Sequence, residues 1–69
     1  MNKYEIIVYW SQEDNTFIAE VPELPGCMAD GVNQIEALKN VNMVINEWIE
    51  TAIMTKRDIP KPKGRLIYA

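Results

Sequence analysis

Histidine is absent from this chain, cysteine occurs once, at position 27, and there are only three glycines. Each absence removes a class of chemistry. Without histidine there is no common general base at neutral pH and no triad built on one. One thiol cannot close a disulfide within the chain, and with no second thiol or imidazole a structural zinc or haem site is not expected. The glycines stand apart, at positions 26, 31 and 64, so no glycine-rich phosphate loop can be assembled. Long apolar runs are missing too: nothing approaches the roughly 20 residues of a membrane-spanning helix. The start, Met1-Asn2-Lys3-Tyr4-Glu5, lacks the basic-then-apolar order of a signal peptide. The expectation is a cytoplasmic protein without membrane contact and without a cofactor.

Bases are scarce in one half. Residues 1–30 hold six acids (Glu5, Glu13, Asp14, Glu20, Glu23, Asp30) against Lys3 alone. Residues 31–69 hold four acids and six bases, within a net charge of -3. The acidic half would repel phosphates, so direct nucleic-acid binding is not expected there. It would suit a basic protein partner, although an ordinary solvated acidic surface would look the same.

What is present is apolar surface, 48% of 69 residues. That is a single domain over 1–69, too apolar for a disordered tail. A chain this short buries only about 60% of its unfolded surface. With no disulfide or metal to help, association into a homo-oligomer, a dimer or tetramer, is the remaining device.

Alternation predicts a strand over Tyr4–Trp10, with Tyr4, Ile6, Val8 and Trp10 on one face and Glu5, Ile7 and Tyr9 on the other. Ser11–Asn15 reads as a turn, Asn15 tolerating a left-handed backbone. A second strand is expected over Thr16–Val21, antiparallel to the first. Pro22-Glu23-Leu24-Pro25-Gly26 interrupts pairing, with Pro25-Gly26 fitting the centre of a type II turn. A third strand is predicted at Cys27–Asp30, broken by Gly31. Asn33 is a candidate helix N-cap with Glu36 three residues on. Leu38, Val41, Val44, Ile45, Trp48, Ile49 and Ala52 then form one apolar stripe. The helix is expected to end near Lys56-Arg57, followed by an extended linker over 59–64 and a last strand at Arg65–Tyr68.

The fold class expected is α+β, in the order β-β-β-α-β: a small mixed sheet, order 3-2-1-4, with one helix on one face. The helix-free face would carry Ile7, Tyr9 and Ile67. With Trp10, which ends its strand, these are the expected oligomer-interface residues.

Catalytic candidates are few. Cys27 has no neighbouring base to activate it and reads as a packed core thiol. Glu5, Glu20 and Asp30 lie on separate strands and could hold Mg²⁺ only if they converged. Surface acids at alternating strand positions are the commoner explanation. The basic stretch 56–65 lacks aromatics and reads as a helix end with a solvated linker. No catalytic, cofactor or metal site is expected, and the chain is not read as an enzyme.

One string is distinctive: Val21-Pro22-Glu23-Leu24-Pro25-Gly26-Cys27, followed by Asp30-Gly31 and Glu36-Ala37-Leu38-x-Asn40. With Tyr9-Trp10-Ser11-x-Glu13-Asp14 and Ile59-Pro60-x-Pro62, it resembles the HicB-like antitoxin family from about Tyr4 to Tyr68. The resemblance implies a partial ribonuclease-H-like fold and a non-catalytic antitoxin role in a type II toxin–antitoxin system. The implied partner is a HicA-like toxin, a small basic protein that cleaves mRNA through a catalytic histidine. The acids Glu13, Asp14, Glu20, Glu23 and Asp30 are the residues expected to meet it. Many HicB proteins carry a C-terminal operator-binding segment; this sequence shows none, so DNA autoregulation is not expected. Two alternatives come from other classes: a structural oligomerising module, and a metal-dependent nuclease on the ribonuclease-H-like frame.

Overall fold

A computed structural model describes residues 3–62. The order is β1 (Ile7–Ser11), β2 (Thr16–Glu20), β3 (Met28–Gly31) and α1 (Gln34–Met54). The strands form one antiparallel sheet with β2 at its centre, so β1 and β3 run parallel to each other at its edges. The helix lies across one face, mostly over β3 and β2. This is a small α+β fold. The strand expected at Arg65–Tyr68, and with it the mixed sheet and the place of Ile67, falls outside the described residues.

The first strand begins three residues later than alternation predicts. The segment before it is held by other bonds. The Tyr4 hydroxyl donates to the Pro60 carbonyl, and the Glu5 N–H donates to Glu23 Oε1 at 3.2 Å. Tyr4 and Ile6 still pack against the core. The hairpin closes at Ser11↔Thr16, one residue beyond the predicted strand end. Its four-residue loop ends on Asn15 at φ 54°, where asparagine is among the better-tolerated residues. Ser11 Oγ accepts the Asp14 N–H at 3.2 Å and donates to Asp14 Oδ2 at 3.1 Å, which fixes the turn.

Residues 21–27 are built as two consecutive turns. The Leu24 N–H donates to the Val21 carbonyl at 3.1 Å, and the Cys27 N–H to the Leu24 carbonyl at 3.0 Å. A proline stands second in each turn, where its fixed φ is pre-set. Gly26, at φ 78°, supplies the positive angle that the second turn requires. The Val21 N–H donates to the Cys27 carbonyl at 3.0 Å and closes the pair. Every third residue therefore points inward: Val21, Leu24 and Cys27 are all buried. Val21, predicted to end the second strand, and Cys27, predicted to start the third, belong to this loop.

Gly31 was expected to break the third strand but is its last residue, paired with Phe17. The Thr16 hydroxyl donates to its carbonyl at 2.8 Å. A Cβ at Gly31 would lie 2.4 Å from the Ala37 nitrogen, so glycine lets the helix backbone rest directly on the strand.

The helix starts as its sequence dictates. Asn33 is extended, and its Oδ1 accepts the Glu36 N–H at 2.8 Å. Glu36 reaches back to the Val32 N–H at 3.3 Å, one residue earlier than in the usual capping box. The inward face is Ala37, Val41, Ile45 and Ala52, flanked by Val44, Trp48 and Ile49. Leu38, placed on the stripe by periodicity, is 39% exposed. Ala37 takes the inward position instead, fully buried with its backbone against Gly31. The helix ends at Met54, short of the expected Lys56-Arg57. Lys56 turns left-handed at φ 57°. Its N–H donates to the Ile53 carbonyl at 3.2 Å, and the Arg57 N–H to the Ala52 carbonyl at 2.8 Å. This is a Schellman closure with lysine in the position that glycine usually fills.

Leu24, Ile45 and Val41 are the largest fully buried side chains. Each contributes about 1.5–3 kcal/mol of apolar transfer. The Trp48 indole N–H donates to the Pro25 carbonyl at 3.0 Å, so the helix is tied to the double turn by a hydrogen bond as well as by packing.

Candidate functional site

Pairing sorts the sheet residues onto two sides. Val8, Ala19 and Ala29 form one cross-strand row, and Trp10, Phe17 and Gly31 the next; both look toward the helix. On the other side the rows are Ile7–Glu20–Met28 and Tyr9–Ile18–Asp30, with Ser11 and Thr16 beyond. No described element covers this second side. Ile7, Tyr9 and Met28 are 38%, 40% and 49% exposed.

The face is a checkerboard. Glu20 stands between Ile7 and Met28, and Asp30 stands beside Ile18. Asp14 reaches it from the hairpin loop, sharing a shallow depression with Tyr9, Thr16, Ile18, Met28 and Asp30. The charged residues that the described strands and the hairpin loop bring to it are all acidic, since no lysine or arginine occurs between Lys3 and Lys39. The Tyr9 phenol registers this. Its pKa is raised above the ordinary tyrosine value by desolvation first, then by interaction with Glu20 and by the charge of Asp14. Tyr9 is therefore a neutral hydrogen-bond donor held in a negative field.

The sequence-predicted residues divide three ways. Ile7, Tyr9, Asp14, Glu20 and Asp30 come together on this face. Glu13 is exposed in the neighbouring hairpin loop, and Glu23 sits in the double turn, bonded to the Glu5 backbone. Trp10 does not join Ile7 and Tyr9. It lies on the helix side, 46% exposed, with its ring edge-to-face on Phe17 at 5.0 Å. Ile67 is outside the described residues. Sequence reasoning missed Ile18 and Met28 as members of the face. The signal for Ile18 was its alternation with Phe17 and Ala19. Met28 became assignable only once the register across the double turn was known.

Cys27 is 2% exposed, and burial pushes its thiol pKa upward. A neutral, enclosed thiol is a packing group rather than a nucleophile. Its reaction with Ellman's reagent is expected to be slow in buffer and to become fast once urea unfolds the chain. Rapid labelling of the native protein would contradict the burial. Among the described residues, no three histidine, cysteine, aspartate or glutamate side chains are placed to hold a metal ion. Nor is any described helix long and apolar enough to cross a membrane.

The residues that form the double turn, the cap and the helix seat fall within a match to the UPF0150-like family over residues 3–60, and the chain belongs to that family. It is similar to a UPF0150 protein of Thermoplasma acidophilum, 36% identical over 65 residues, which cover 94% of this chain and 93% of that protein. It is likewise similar to a UPF0150 protein of Synechocystis sp., 37% identical over 63 residues, covering 91% of this chain and 85% of the relative. No solved structure matches it.

Proposed function

We propose that this chain is a cytoplasmic binding protein of the HicB antitoxin type, which neutralises a HicA-like basic, mRNA-cleaving toxin by direct contact. The observation that carries the reading is the sheet face opposite the helix: half-exposed Ile7, Tyr9 and Met28 set among Asp14, Glu20 and Asp30. Such a face suits recognition of a cationic protein, which it would attract at a distance and dock through apolar contact. The distinctive residues of the HicB-like string have structural work instead. Val21, Leu24 and Cys27 fill the core, and Pro22, Pro25 and Gly26 shape the turns. The remaining exposed groups are suited to binding rather than to bond-breaking.

A metal-dependent nuclease is less well supported, because Glu5 lies before β1 and, among the described residues, no three acidic side chains are placed to hold a metal ion. A purely structural module gives no reason for placing carboxylates among the apolar residues of that face.

The test looks for a small basic reading frame beside the gene for this chain and co-expresses its product with the chain. Induction of that protein alone is expected to arrest growth and deplete mRNA. Co-expression is expected to restore growth, with the two proteins co-purifying as a complex. If the neighbouring protein is toxic and this chain neither binds it nor relieves it, the antitoxin reading fails.

A further inference from the structure

The sequence alone assigned two surfaces: apolar residues for self-association and acids for a foreign partner. The structure places Ile7 and Tyr9 of the first set and Asp14, Glu20 and Asp30 of the second on one face, and this changes which occupant fits it. We infer that the helix-free face is the docking surface for a partner element that interleaves lysine or arginine with apolar side chains, and not for a second copy of this chain. The inference rests on the binding-protein reading and specifies where the partner sits and what it presents.

Register carries the case. Glu20 lies directly across from Ile7 on one side and Met28 on the other, while Asp30 lies across from Ile18, which neighbours Tyr9. An occupant that covers the apolar residues must therefore also cover the carboxylates. Burying a carboxylate without a counter-charge is strongly unfavourable. A second copy brings the same face, whose described strands carry acids and no base. Two such faces in contact would bury Asp14, Glu20 and Asp30 of both copies with no base from the described strands to neutralise them. Nucleic acid is excluded by the same charges. A cationic amphipathic protein element satisfies both halves of the pattern: its apolar groups cover Ile7, Ile18 and Met28, and its bases neutralise the acids. Tyr9 and Glu20, in adjacent rows of the face, mark where the apolar and acidic halves meet.

The experiment uses the full chain and two labelled helical peptides that share a leucine stripe, flanked by lysines in one and by glutamates in the other. The lysine peptide is expected to bind at least about tenfold more tightly, with an affinity that falls as salt is added. Met28→Lys and Tyr9→Lys, both at half-exposed positions and verified as folded by circular dichroism, are expected to weaken it by about tenfold or more. Asp30→Asn is expected to flatten the salt dependence. Leu38→Lys, on the exposed flank of the helix, is expected to leave binding unchanged.

Equal binding of the two peptides would overturn the inference, as would loss of binding in Leu38→Lys rather than in the face variants. So would a wild-type dimer, seen by light scattering, that Met28→Lys converts to monomer, because the occupant would then be a second copy. The toxin assay separates the two levels. If wild type neutralises the toxin and Met28→Lys does so equally well, this surface is wrong and the antitoxin reading stands. If wild type neutralises nothing, that reading fails while the peptide titration still decides the surface.

Discussion

Gly31→Ala is expected to lower stability by about 3 kcal/mol, at the upper end of what overpacking a closed site costs. The added methyl would lie 2.4 Å from the Ala37 nitrogen and 2.8 Å from the Glu36 carbonyl carbon. Both are backbone atoms at the first turn of the helix, so no side chain can rotate aside. Relief requires the helix to lift from the sheet or β3 to shift against β2, and either motion disturbs the Phe17↔Gly31 pair. For a domain of this size, 3 kcal/mol corresponds to a fall of about 12–24 °C in melting temperature. Gly26→Ala makes an informative comparison. It meets nothing within 4 Å, and its cost comes only from the positive φ of 78°, about 1 kcal/mol. Thermal melts of the two variants should therefore separate a steric requirement for glycine from a conformational one. Equal melting temperatures would mean that the strand–helix contact is looser than described.

Leu24→Ala is expected to cost about 2–5 kcal/mol, the range for a large core residue cut to alanine. That is unusual for a residue between two prolines in a loop, where substitutions are generally tolerated. The reason is the period-three inward turn of the segment, which makes Leu24, at 0% exposure, one of the largest fully buried side chains described. Its neighbours cannot collapse into the void, because the loop backbone is held by the Val21–Cys27 bond and the Trp48–Pro25 bond. A single small core rarely supplies more than about 3–5 kcal/mol, so this variant is expected to be largely unfolded at 37 °C. Urea denaturation followed by tryptophan fluorescence measures it. A midpoint close to that of wild type would show that the double turn contributes little to the core.

Most of the fold is legible in the residues. The β-β-β-α order, the type II turn at Pro25-Gly26, the left-handed Asn15 and the Asn33 cap each follow from local chemistry that acts over a few residues. The departures arise where a distant contact decides. Tyr4 leaves the strand pattern to reach Pro60, 56 residues away in sequence. Ala37, not Leu38, faces inward with its backbone against Gly31, a contact that helical periodicity does not encode. Lys56, which reads as a base favouring a helix C-terminus, is the left-handed residue that ends the helix.

The candidate face was half legible. Alternation placed Ile7 and Tyr9 opposite the helix, but which acids accompany them depends on the pairing of β2 with both neighbours. The register across the seven-residue double turn is not readable from strand periodicity alone. Trp10 shows the same limit: a large aromatic at a strand end reads as an interface anchor, yet parity turns it to the helix side, where it meets Phe17.

The central claim is that a basic protein docks on the acid-studded side of the sheet. Amide perturbation mapping of the ¹⁵N-labelled chain, titrated with the lysine-flanked leucine-stripe peptide, tests it most directly. Shifts and line broadening are expected at Tyr9, Asp14, Ile18, Glu20, Met28 and Asp30, with Lys39, Asn46 and Glu50 on the helix unperturbed. Perturbations confined to the helix, with the open sheet face silent at saturation, would contradict the account.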